Sequence, residues 1–107
     1  MESIKRGTTP TISTKVDGVE FGDIQKVEFI FKNRISPDAP SLCMKYYPGG
    51  GASYNSQDRS FDISLNESET RDFTANKTVY MDTRITLVGG SIPKTNIVQF
   101  SVIETLF

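Results

Sequence analysis

The side chains of the types that do chemistry fall into a few small groups. Asp17, Glu20 and Asp23 lie within seven residues, enough carboxylate oxygen to suggest calcium. The spacing of a calcium-binding loop is absent, however, and acids beside a turn are ordinary solvated charge. Asp58 and Asp62 are the nearest approach to a carboxylate pair for glycoside hydrolysis. Strand alternation sends Asp62 outward, and nothing sets the two across a cleft. Pro48-Gly49-Gly50-Gly51 lacks the spaced glycines and the following Lys-Ser/Thr of a phosphate cradle. It reads as a hairpin loop. Cys43 sits mid-strand with Lys45 as its neighbouring cation and reads as a packed thiol rather than a nucleophile. Tyr46, Tyr47 and Tyr54 flank the glycine run. Of these, Tyr47 and Tyr54 are the candidates to stack on a sugar or fill a protein interface, set against the plainer reading of a cross-strand aromatic pair.

Composition narrows the chemistry further. The 107 residues include no histidine, no tryptophan and a single cysteine. Zinc and most transition-metal sites draw on histidine or cysteine, and serine or cysteine nucleophiles need an imidazole base. No catalytic residue, metal site or cofactor is therefore expected, and no intramolecular disulfide can form. The net charge of −1 does not suit a nucleic-acid binder. The pair Lys5-Arg6 adds too little positive charge to change that. No apolar run approaches membrane-spanning length. The first seven residues, Met1 to Gly7, have no apolar core of a secretion signal.

The apolar residues point to a fold. Valine and isoleucine occur 17 times against 4 leucines and 3 alanines, and serine and threonine add 22 residues. β-branched side chains suit a pleated, half-buried surface. The alternation predicts strands, with Val27, Phe29 and Phe31 sharing one face, then Phe61, Ile63 and Leu65, then Val79, Met81, Ile85 and Leu87. Val98, Phe100 and Val102 form the last inward stripe. Asp17-Gly18, between Val16 and Val19, predicts a tight hairpin. Asn66 followed three residues later by Glu69 predicts a short capped helix over 66–73. The expected fold is all-β: an immunoglobulin-like antiparallel β-sandwich of about seven strands with one helical crossover. One domain spans 1–107, with residues 1–7 as an N-terminal arm. A small jelly roll or open barrel is the alternative.

Ile97 and Ile103 fall on the outward parity of the last strand, and the chain given stops on Leu106-Phe107. Apolar groups on both faces mark this strand as a contact element, with its edge open to strand addition. Ile97, Ile103 and Phe107 are its anchors. Lys5, Arg6, Thr8 and Pro10 are the matching candidates at the other end.

The opening Lys5-Arg6-Gly7-Thr8-Thr9-Pro10-Thr11 resembles the start of a family of small phage and prophage proteins from gut Firmicutes-type bacteria, whose members begin Arg-Gly-Thr-Thr-Pro-Thr. Leu65 to Phe73 is similar to that family's Leu-x-x-Glu-Glu-Thr-x-x-Phe segment, with Ser68 in place of the first Glu. Val79 to Ile85 is similar to its Gln-Ile-Arg strand, with Asp82-Thr83 in place of Gln-Ile. The resemblance implies a non-enzymatic virion component at the tail or baseplate, assembled in the bacterial cytoplasm. Its implied partners are other virion proteins, as a homo- or hetero-oligomer, with no nucleic acid and no membrane. A carbohydrate- or receptor-binding module and a capsid decoration protein are the alternatives.

Overall fold

The strands with the cleanest alternation form the middle of the molecule. A computed structural model describes residues 2–16, 18–93 and 95–106. Strands β3 (Ile24–Lys32) and β7 (Thr78–Leu87) pair antiparallel over most of their length. Both alternate, so their inward residues Val27, Phe29, Phe31, Val79, Met81 and Ile85 are buried while the intervening polar groups meet water. β4 (Cys43–Tyr47) flanks β3, and β8 (Val98–Ile103) flanks β7. A short first strand, β1 (Glu2–Lys5), adds to β8 in parallel, completing the five-stranded order β1-β8-β7-β3-β4.

The second sheet is smaller. β2 (Thr11–Lys15), β6 (Ser60–Ser64) and β5 (Ala52–Asn55) are joined antiparallel in the order β2-β6-β5. Ile12, Phe61 and Ile63 turn inward and close one core with the large sheet, where Phe29 and Phe61 lie 6.1 Å apart. Helix α1 (Glu67–Arg71) carries the chain from β6 in the small sheet to β7 in the large one.

Three expectations are corrected. No hairpin joins β2 to β3, because they belong to different sheets; Asp17 lies outside the described residues. Residues 18–23 instead pass between layers through a 3-10 turn over Phe21–Asp23. A two-layer core needs the Ile12 stripe on one sheet facing the Phe29 stripe on the other, and that demand outweighs a local turn preference. Residues 2–7 of the expected 1–7 arm are not free, since β1 is hydrogen-bonded to β8 and Ile4 is only 2% exposed; Met1 lies outside the described residues. Finally, β8 is not an edge: β7 lies on one side of it and β1 on the other.

Candidate contact surfaces

The N-terminal candidates are engaged within the chain. The Arg6 main-chain N–H donates to the Ile103 carbonyl at 2.9 Å, extending the β1–β8 ladder. The Arg6 guanidinium donates from Nη1 to Glu104 Oε2 and from Nη2 to the Arg71 carbonyl, both at 2.8 Å. It thus ties β1 to the tail of β8 and to the last turn of α1, whose carbonyls lack helical partners. The Thr105 N–H, followed by burial and Arg6, sets the Glu104 pKa, and the net effect holds it below its usual range. The Thr8 hydroxyl donates to the Lys5 carbonyl, and the Thr8 carbonyl accepts from the buried Thr70 hydroxyl. The Pro10 carbonyl accepts from the Leu65 N–H. Gly7, at φ +73°, turns the chain here; a Cβ on it would come within 3.1 Å of the Arg71 guanidinium. Residues 5–10 therefore act as a strap packed on α1, which sequence spacing could not show. Lys5 stands exposed on β1.

Helix α1 forms as its sequence predicts. Asn66 Oδ1 accepts from the Glu69 N–H, and Glu69 Oε1 accepts from the Asn66 N–H, each at 2.8 Å. The other Glu69 oxygen reaches across to β4, 2.8 Å from Lys45 Nζ and 3.1 Å from Cys43 Sγ. Burial, with the adjacent Glu69 carboxylate, pushes the Cys43 thiol up to about 12. A thiol held protonated and covered is not a nucleophile. Burial raises the Glu69 pKa, but Lys45, the Asn66 N–H and Cys43 together outweigh it and hold the carboxyl below its usual range.

Of the acids singled out for chemistry, Asp58 and Asp62 are engaged locally, and Asp17 lies outside the described residues. Asp62 accepts from the Ser13 hydroxyl at 2.6 Å, and Asp58 from the Asn55 amide at 3.2 Å. Glu20 and Asp23 are exposed. Among the described residues, no group of three or more His, Cys, Asp or Glu side chains could hold a metal ion.

Tyr47 and Tyr54 converge with Phe21 and Phe61. Phe21 stacks on Tyr54 with centroids 3.8 Å apart and planes within 13°, and Tyr47 meets Phe61 edge-on at 5.4 Å. The cross-strand aromatic reading is thereby extended by Phe21, whose part no pairwise spacing revealed. Stacking on a sugar needs an open ring face, and Phe21 occupies one face of Tyr54.

The outer face of the large sheet is different in character. Met44 lies opposite Ile30 across the β3–β4 pair, and Tyr46 lies opposite Glu28. Ile97, Ile35 and Tyr80 join Ile30 around a groove of about 290 Å³, rimmed by Lys32 and Asp82. Met44, Tyr46, Ile35 and Ile97 are all exposed. Ile103 is exposed on the outward parity of β8, and Leu106 is wholly in water; Phe107 lies outside the described residues.

A sheet in which the penultimate strand lies between the last strand and the third, widened by the fourth, and faced by the second, sixth and fifth, is the immunoglobulin-type sandwich with variable-domain widening. Single Cys43 lies on β4, so the inter-sheet disulfide of antibody domains has no counterpart. No protein-family model and no curated protein matches the chain. Among solved structures it is similar to the extracellular domain of the voltage-gated sodium channel beta4 subunit, described as a parallel homodimer in cell-cell adhesion. That likeness has a TM-score of 0.46 and 8% identity, covering 99% of this chain and 91% of the other. The class rests on strand order, not on that likeness.

Proposed function

We propose that this chain is a non-enzymatic structural domain of a phage virion, in its tail or baseplate, working through protein–protein contact. The contact half is carried by the outer face of the five-stranded sheet, where Ile30, Met44, Tyr46 and Ile97 form an apolar strip in water. Contiguous apolar surface of this kind marks an interaction site on a small domain. The chain exposes 6757 Å², against about 5,900 Å² for a compact monomer of its mass. The virion half is supported by the resemblance of segments 5–11, 65–73 and 79–85 to the phage and prophage family. Mass spectrometry of gradient-purified particles released from the host tests it. The chain is expected there at fixed stoichiometry with tail proteins. Its absence from particles, with free protein left in the lysate, overturns the reading.

A further inference from the structure

The outer face of the large sheet is unevenly charged. Its β3 side carries Lys26, Glu28 and Lys32, with Arg84 opposite Glu28 on β7. On its β8 side the outward residues are Gln99, Ser101 and Ile103. Tyr80 and Thr78 on β7 lie opposite Gln99 and Ser101, and Ser3 on β1 lies opposite Ser101. Residues directly opposite on paired strands share a face, so the middle of this surface carries no charge. Depletion of charge at the centre is the composition of an interface core.

The pattern along β8 is also nearly symmetric. Ile97, Gln99, Ser101 and Ile103 read apolar, polar, polar, apolar, with Phe100 at the midpoint. Ile97 is 40% and Ile103 47% exposed, and strand spacing sets them about 20 Å apart. The two ends differ in charge. Asp82 shares a groove wall with Ile97, whereas Lys5 is paired in register with Ile103.

We propose that this face binds a second copy of the chain about a two-fold axis crossing β8 at Phe100, with the two β8 strands antiparallel. A two-fold interface requires every contact between two residues to recur with the copies exchanged. Reversal about Phe100 meets that requirement: Ile97 faces the second copy's Ile103, and Gln99 faces its Ser101. Ile103 then enters the groove of about 290 Å³ lined by Ile30, Ile35, Tyr80 and Ile97. Ile35 and Ile97 are exposed there and Ile30 and Tyr80 half-buried, so apolar surface now in water is covered on both copies. Lys5 of one copy approaches the Asp82 end of the other. A parallel arrangement would instead set Asp82 against Asp82 and Lys5 against Lys5, so charge selects the antiparallel one. The Lys32 ammonium stays with its own chain, donating to the Ser36 and Pro37 carbonyls.

This inference names the partner of the outer face and rests on the contact reading above. A monomer can enter particles and a dimer can stay out of them, so the two tests fail separately. Sedimentation of the full chain up to millimolar concentration should show a monomer–dimer equilibrium. Ile103→Asp should weaken the dimer about tenfold or more. Val88→Asp, at an exposed residue beyond the end of β7, should leave it unchanged. Lys5→Glu and Asp82→Lys should each weaken it about threefold or more, and the two together in one chain should restore it toward the parent. All four positions are exposed, so amide spectra of the variants should stay native. A parent chain that stays monomeric, Ile103→Asp dimerising like the parent, Val88→Asp weakened as much as Ile103→Asp, or a double reversal no tighter than either single one would each overturn the proposal.

Discussion

The Lys45 ammonium lies 2.8 Å from the Glu69 carboxylate, a contact that pins helix α1 to the edge strand β4. Both side chains are largely covered, so this pair is screened less than a surface ion pair. The same carboxylate completes the cap of its own helix.

Replacing Glu69 with Gln keeps a cap acceptor but removes the charge facing Lys45. We expect a loss of about 1 to 2 kcal/mol in denaturant unfolding at neutral pH. The folded Glu69 pKa is depressed, so its contribution is full above the unfolded value of 4.5 and is lost as pH falls through the folded value. The stability gap between Glu69→Gln and the parent chain should therefore narrow as pH falls from 4.5 through the folded value. A gap that stays constant into acid would contradict the assignment.

Ile4→Ala should cost about 2 to 4 kcal/mol, because the side chain is buried beneath β1. Deleting residues 1–7 should cost more, removing an entire strand and the Arg6 contacts. Chemical denaturation of both variants checks this. A truncated chain as stable as the parent would return these residues to the status of a free arm.

Phe29→Ala and Phe100→Ala should each cost about 3 to 5 kcal/mol, since both rings are fully buried. That is a large part of the stability of a small domain. Thermal and urea unfolding would show it, and a cost below about 1 kcal/mol would mean that the inward stripes are misassigned.

Cys43 should resist iodoacetamide at pH 8 in the native chain and react on unfolding. Its pKa of about 12 leaves almost no thiolate, and the side chain is covered. Mass spectrometry over time separates the two rates. Native labelling as fast as in denaturant would contradict the burial.

Parity was readable because it is local. Alternation placed Val27, Phe29 and Phe31, the Phe61 to Leu65 run, and Val98 to Val102 on inward faces, and the fold buries or half-buries each of them. The cap of α1 was readable for the same reason: Asn66 and Glu69 are three residues apart, and both reciprocal bonds form within that span. β1 was not readable, because Glu2-Ser3-Ile4-Lys5 carries one apolar residue and draws its stability from β8, almost the whole chain away. The Arg6 contacts to Arg71 and Glu104 are equally remote. Phe21 gives no sign in its own neighbourhood that it stacks on Tyr54.

The chemistry-bearing residues with which the sequence began thus divide cleanly. The missing histidines and the single cysteine remove imidazole and most metal chemistry whatever the fold, because absent side chains cannot be supplied by geometry. Alternation and capping then dictate strands and one helix, since those signals act over a few residues. Which strands share a sheet, which edges stay open and which charges meet are set by burial of two facing apolar stripes. That constraint couples residues far apart in the chain, turning the N-terminal segment into a strap and placing β8 inside the large sheet rather than at its edge.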